Sequence, residues 1–378
     1  MPVDVSRRGK RKKFIYILSP LLVACTMRFW RSPMSETLAL PNEKSLLTKL
    51  EVSAPLAIHN RDRWPPVRRR QTVMSLSPST PPKTILITGC SSGIGLDAAI
   101  ELQSCGWRVF AACRQSKDVD RMKTEYGLES VLIDYTKPET IEQGYAEVLK
   151  LTGGTLDALF NNGAYGVGGA AEDTPVQALR EIFECNFFGW HDLSCRAIKT
   201  MRNQGNYGRI IQCSSILGNV VFPFRMAYSC TKFALEAHCD SLRLELGDTN
   251  IKVASLNVGP IRTKIRENSV VHFDKHMLPG VPKSAFKTYY EQKFIPRLYG
   301  PYKKDAFELE CEAVTKVLKL ALTTRNPKPR YPVTVPSKLF MFLNRVLPCW
   351  LLDAVKIRAI GMHPVGVKLH PKEKKVVE

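Results

Sequence analysis

The chain has 378 residues, 44% hydrophobic and 24% charged, a composition close to the average of folded soluble proteins. That excludes a mainly disordered, collagen-like or multi-span membrane protein. The 55 Lys+Arg against 35 Asp+Glu give a net charge of +20. Met1–Val73 alone holds 15 basic and 5 acidic residues, so this first fifth carries half of the excess. The mild bias that remains suits anionic small molecules as well as nucleic acid. A nucleic-acid-associated protein would need a basic stripe with base-stacking aromatics on the folded body, so no nucleic-acid partner is expected.

In chain order, the basic run Ser6–Lys13 precedes the apolar stretch Phe14–Met27. That stretch is fourteen residues, interrupted by Ser19 and Pro20, and falls short of the ~20 needed to span a bilayer. A basic region before a short apolar one reads as a signal or an anchor, and Leu22-Val23-Ala24-Cys25 resembles a bacterial lipoprotein cleavage box. The alternative is a start at Met74, ten residues before the first strand. Residues 28–82, ending in Ser75–Pro82, have linker composition, so 1–82 is expected to be a basic extension. The eleven cysteines, from Cys25 to Cys349, contain no C-x-x-C pair and read as reduced, largely buried thiols. His272 and His276 stand four apart. Without a near acidic or Cys partner they read as a surface pair, and no metal is expected.

From Lys83, short apolar runs alternate with amphipathic helical stretches. Strands are expected at Thr84–Ile87, Arg108–Ala112, Val131–Ile133, Ala158–Phe160, Arg209–Cys213 and Lys252–Asn257, with helices such as Leu96–Ser104 and Glu139–Leu151 between them. This alternation, with nearly continuous apolar strands, predicts an α/β, doubly wound parallel sheet over 83–335. The segment 336–378 follows as an apolar, partly helical stretch broken at Pro348 and a charged tail.

Thr88-Gly89-Cys90-Ser91-Ser92-Gly93-Ile94-Gly95 joins the first strand to the first helix. Glycines there allow a tight turn, close approach to a pyrophosphate and close helix–strand packing, and the helix N-terminus attracts phosphate. Tyr228 and Lys232 stand four apart at the start of the helical stretch Phe233–Leu246, which puts phenol and ammonium on one face. A free phenol titrates near ~10, and an adjacent ammonium favours its ionised form, as general acid–base chemistry requires. Ser215 ends the fifth strand thirteen residues before Tyr228, where a hydroxyl can donate to a carbonyl oxygen. Asn161-Asn162-Gly163-Ala164 follows the fourth strand, and Asn186 opens Asn186-Phe187-Phe188-Gly189.

These four motifs, in this order over about 250 residues of the chain, resemble the short-chain dehydrogenase/reductase superfamily in its single-domain, Rossmann-fold form. The stretches Ile85–Gly95, Arg209–Gly218 and Gly259–Thr263 are most similar to retinol and 17β-hydroxysteroid dehydrogenases and to bacterial aldehyde-reductase-like members. The resemblance implies an alcohol/carbonyl oxidoreductase in which Tyr228 transfers the proton, Lys232 binds the nicotinamide ribose and lowers the tyrosine pKa, Ser215 polarises the carbonyl and Asn186 holds a relay water. It implies a dinucleotide held by Thr88, Gly89, Ser91, Ser92, Gly93, Ile94 and Gly95, by Asn161, Asn162 and Gly163, by Gly259, Ile261 and Thr263, with Asp134 on the adenine. Arg114 stands after the second strand where an acid would contact the ribose of NAD. A guanidinium matches a 2′-phosphate, so NADP(H) is expected, with NAD(H) as the alternative. The family usually has Asn-Asn-Ala-Gly and a Pro-Gly pair where this chain has Gly163-Ala164 exchanged and Val258-Gly259, and a noncatalytic dinucleotide-binding relative stays open on that ground.

By the same resemblance, Lys264–Tyr302, with Phe273, Phe286, Tyr289, Tyr290, Phe294, Tyr299 and Tyr302, is expected to wall the site of a small apolar alcohol or carbonyl substrate. Leu339–Leu352 is expected to pack on the sheet, with a pocket cap or a membrane surface as alternatives. The expected setting is cytoplasmic, as a homo-oligomer, with either apolar terminal segment available for membrane contact.

Overall fold

The computed structural model describes residues 82–359. The basic run, the stretch 14–27, Met74 and the charged tail lie outside them. Seven strands, β1 (Thr84–Thr88), β2 (Arg108–Cys113), β3 (Glu129–Leu132), β4 (Ala158–Asn161), β5 (Tyr207–Ser215), β6 (Asn250–Val258) and β7 (Arg330–Pro332), form one sheet in the order β3-β2-β1-β4-β5-β6-β7. Every pairing is parallel, and Leu86 of β1 lies between Phe110 and Leu159. All five residues of β1 and all four of β4 are buried, because parallel strands are covered by helices on both faces. Helices Gly93–Ser104 and Glu312–Thr323 pack together, joined by an ion pair between Lys319 and Glu101 at 2.6 Å. Helix Pro138–Thr152 packs on Gly189–Asn203.

The strand order reverses at β1. The chain runs from β1 outward to β2 and β3, then returns to β4 on the other side. This switch opens a crevice beyond the carboxyl ends of β1 and β4, where such folds bind ligands.

Several strands differ from expectation: β5 and β6 begin at Tyr207 and Asn250, each two residues early. β3 begins at Glu129, two residues early, because its polar residues are satisfied by the neighbouring strand. The Ser130 hydroxyl donates to the Ala111 carbonyl at 2.6 Å, and Glu129 pairs with Arg108 at 2.6 Å. β7 was not expected at all: it is three residues long and ends in Pro332. A strand containing proline is tolerated at an edge, where no further ladder partner needs its N–H.

The aromatics of 265–299 build a second hydrophobic cluster around Tyr290, Phe273 and Phe294, together with Tyr165, Val167 and Phe224. Tyr290 anchors it. Its hydroxyl accepts from the Ala170 N–H at 2.7 Å and donates to Asp173 at 3.0 Å. Beyond β7, helices Val335–Val346 and Cys349–Ala359 lie on either side of Pro348. Packing accounts for one side only of this segment. Met341 and Leu352 are buried, but Leu339, Phe342, Val346 and Trp350 are 50%, 59%, 54% and 72% exposed. No described helix is long and apolar enough to cross a membrane.

β7 is fastened through a buried carboxylate. Glu236, on helix Met226–Glu245, accepts from Asn257 at 2.7 Å, Ser255 at 3.1 Å and Arg330 at 2.7 Å, and Arg330 also reaches Asp240 at 2.6 Å. Removing the guanidinium leaves that carboxylate charged and poorly compensated. Arg330→Ala is therefore expected to lower unfolding stability by about 3 kcal/mol, measured by chemical denaturation. The double substitution Arg330→Met with Glu236→Gln should recover most of it.

Candidate active site

The floor of the crevice is tied together by Thr88. Its hydroxyl accepts from the N–H groups of Asn162 at 2.9 Å and Gly163 at 3.3 Å, while Asn162 returns a bond to the Thr88 carbonyl at 3.1 Å. Gly89 turns away in the left-handed region, φ +69°, and a Cβ there would lie 2.7 Å from the Gly163 Cα. Glycine is thus required on both grounds. Gly95 faces inward, where a Cβ would strike the Gly89 carbonyl. The exchanged pair is accommodated: Gly163 backs onto Gly89 and Tyr135, and Ala164 packs against the core.

Above this floor lies a cavity of about 1010 Å³. Every residue assigned to the site from the sequence lines it except Gly95, Asn161 and Asn186. Asn161 is buried behind it, with its Oδ1 2.6 Å from the Tyr135 hydroxyl and its amide donating to Ser194 at 3.1 Å. Asn186 lies in a π turn, Glu184–Phe188, a distortion common at functional sites. Its side chain is occupied by the backbone of Tyr165: Oδ1 accepts from the N–H at 3.1 Å and Nδ2 donates to the carbonyl at 2.8 Å. Asn186 therefore sets the position of the Tyr165 segment rather than offering its amide to the cavity.

The glycine loop leads into helix Gly93–Ser104, whose N-cap Ser92 makes no side-chain capping bond. Its first N–H groups are left facing the cavity, as an anion site requires. With the close Gly89–Gly163 approach, these residues fit a dinucleotide.

Lys232 is 1% exposed. Its ammonium donates to the Cys213 carbonyl at 2.9 Å and lies 4.2 Å from the Trp190 ring centroid and 5.6 Å from that of Tyr228. Carbonyl and ring take two of its three donors, which leaves one for a ligand. Burial pulls its pKa down to about 8. Burial pushes the Tyr228 phenol in the opposite direction, above its ordinary value, with Ser215 the group that pulls it back. Desolvation dominates at the phenol, and Lys232 is not among the groups that offset it. Ser215 donates to the Val258 carbonyl at 3.3 Å and accepts from the Leu217 N–H at 3.1 Å.

Arg114 is exposed at the rim, after β2. The sequence reading missed its neighbour Arg121, which donates to the Ser91 carbonyl at 2.5 Å and pairs with Asp118 at 3.1 Å. It also missed Trp190, whose indole donates to the Gly163 carbonyl at 2.8 Å. No local motif marks either one, since each acts across a fold-made contact. His272 is not a surface residue: it lines the cavity, stacked on Tyr165 with ring centroids 3.6 Å apart.

A buried ammonium displaced from 10.5 to about 8 costs the folded state about 3 kcal/mol, against about 1 kcal/mol for its hydrogen bond. Lys232→Met is expected to stabilise the ligand-free protein by about 2 kcal/mol at pH 7. The gain is full below about 8, where the native lysine is charged. It disappears above ~10.5, where lysine is neutral in both states. Denaturation at both pH values checks it.

Residues 83–272 match the family model described as short chain dehydrogenase. The chain is 38% identical over 275 residues to the uncharacterized oxidoreductase YbbO of Escherichia coli, covering 72% of this chain and 93% of that one. It is 30% identical to retinol dehydrogenase 16 of Mus musculus, over 76% of this chain and 90% of the relative. A short-chain dehydrogenase structure from Streptomyces avermitilis superposes with a TM-score of 0.58 at 25% identity, over 75% of this chain and 98% of that one. With the seven-stranded sheet and the cavity at its switch point, these matches make the chain a member of the short-chain dehydrogenase/reductase family of oxidoreductases.

Proposed function

We propose that the protein is an NADP(H)-dependent oxidoreductase that interconverts an alcohol with an aldehyde or ketone, on a substrate with an apolar body, using Tyr228 as acid/base. The observation that carries this reading is the convergence of Tyr228, Lys232 and Ser215 on one cavity continuous with the glycine loop. When bound, the nicotinamide supplies or accepts the hydride. The loop Gly89–Gly93 and the uncapped helix would hold the pyrophosphate, and the remaining Lys232 donor would hold the ribose. Arg114, with Arg121 behind it, would take the 2′-phosphate.

On the substrate side, the Ser215 hydroxyl would turn from the Val258 carbonyl to the substrate oxygen and polarise it. Tyr228, whose phenol burial pushes above its ordinary value, is set to donate its proton to the oxygen as negative charge develops there. Asn186 acts as a positioning residue through the backbone of Tyr165. Phe273, Phe294 and Leu298 on the cavity wall support an apolar substrate body.

Two substitutions test the proposal. Tyr228→Phe should abolish turnover of a C10 aldehyde with NADPH and leave cofactor affinity nearly unchanged, since only the transferable proton is lost. Retention of more than a few per cent of activity would exclude Tyr228 as acid/base. NADPH should bind about tenfold more tightly than NADH, in line with one exposed charge-assisted contact, and Arg114→Asp should reverse the order. Equal affinities in the wild type, by isothermal titration, would remove the NADP(H) assignment.

A further inference from the structure

The cavity wall opposite the glycine loop is less apolar than its aromatic composition suggests. Arg225, Arg266 and Arg297 all line it. Asp305 serves two of them, pairing with Arg297 at 2.5 Å and Arg266 at 3.6 Å. Glu181, which also lines the cavity, is taken by Lys275 and His276, each at 2.8 Å. Arg225 is different. It makes no ion pair among the described residues, and its one hydrogen bond is from Nη1 to the carbonyl of the preceding residue, Phe224, at 3.2 Å. Its guanidinium lies 5.5 Å from the Phe294 ring centroid, and a Cβ on Gly168 would lie 2.8 Å from Nη1. It is thus wedged between an aromatic ring and a glycine backbone, with most of its five donors unspent.

Desolvation first, then the repulsion of Arg297 and Arg266, lowers the Arg225 pKa, against an opposing pull from Tyr289 and Asp305. Half-buried beside the cavity, the guanidinium would be satisfied by a ligand that supplies an anion. Arg225 is three residues before Tyr228, at the N-cap of the same helix, and both side chains line the one cavity. Its backbone bridges to Gly169 and its guanidinium packs against Gly168 and Phe294, whereas Gly89 of the glycine loop packs against Gly163 and Asn162.

We propose that Arg225 determines substrate specificity by binding a carboxylate on the substrate, so that the natural substrate is an oxo-acid or hydroxy-acid: an apolar body with the reacting carbonyl or alcohol at one position and a carboxylate at another. The inference rests on the oxidoreductase reading above and adds the substrate class. A guanidinium presents a planar pair of donors to a carboxylate, and Phe273, Phe294 and Leu298 line the same cavity as Arg225 and Tyr228.

The test compares 10-oxodecanoate with decanal, using NADPH, in the wild type, Arg225→Met and Arg225→Lys. The wild type should favour the oxo-acid by tenfold or more in kcat/KM, chiefly through KM. Arg225→Met should bring the ratio near one, and Arg225→Lys should keep part of it. A second readout needs no turnover: decanoate titrated calorimetrically into the NADP+-loaded protein should bind at least tenfold more weakly to Arg225→Met. Equal kcat/KM for the two aldehydes, with decanoate affinity indifferent to the substitution, would overturn the inference and leave the oxidoreductase reading intact. A tenfold loss of NADPH affinity in Arg225→Met would also overturn it, by assigning the residue to the cofactor. No turnover of either aldehyde, with decanoate affinity still dependent on Arg225, would uphold the anion site and remove the oxidoreductase reading instead.

Discussion

A single buried cation organises this site. The Lys232 ammonium is held out of water between the Cys213 carbonyl at the end of β5 and the face of Trp190. Burying it costs free energy, since its pKa falls from 10.5 to about 8, and strain of this kind is characteristic of functional sites. The same tryptophan reaches the other half of the crevice. Its indole bonds the Gly163 carbonyl, and Gly163 backs onto Gly89, the first glycine of the loop. Lysine, tryptophan and the two glycines thus form one continuous set of contacts from the proposed proton donor to the proposed phosphate cradle. A shift in any one of them is transmitted to the rest, because packed contacts leave little slack.

The two sides of the cavity are built differently. The dinucleotide side hangs on strand ends embedded in the main core, where Thr88 and Tyr135 clamp β1 to β4. The opposite side rests on the second cluster, where residues near 165–170, 224–228 and 265–299 meet around Tyr290. A wall assembled from several separate segments, Ile182 of helix Val176–Phe183 included, can vary its chemistry without disturbing the sheet, as expected for a fold that hosts many substrates. In this chain the variation takes the form of guanidinium groups among aromatic rings. The charge excess of the sequence is thus informative at one small place, the wall beside Tyr228, rather than over a broad surface.

Legibility in the sequence followed the range of each interaction. Strands such as Thr84–Thr88 were readable because both faces are buried and the apolar run is unbroken. The glycine loop and the Tyr228–Lys232 pair were readable because their geometry is local. β7 was not, because three residues with a terminal proline carry no periodic signal and owe their place to Arg330 and Glu236, 94 residues apart. Trp190, Arg121 and Arg225 escaped for the same reason, since their partners are brought to them only by the completed fold. Asn186 was found by its motif, but the motif could not say that its amide would be spent on the Tyr165 backbone. For Tyr228 the sequence shows the adjacent ammonium, whereas the burial that raises the phenol comes only with the completed fold.

The central claim is that Lys232 is a buried ammonium poised near neutrality, and it can be observed directly. Carbon NMR of protein labelled at lysine Cε, titrated from pH 6 to 12 without cofactor, should show one lysine with a midpoint at about 8. That resonance should be missing in Lys232→Met. A spectrum in which no lysine titrates below ~10, or in which the low-pKa resonance survives the substitution, would contradict the account.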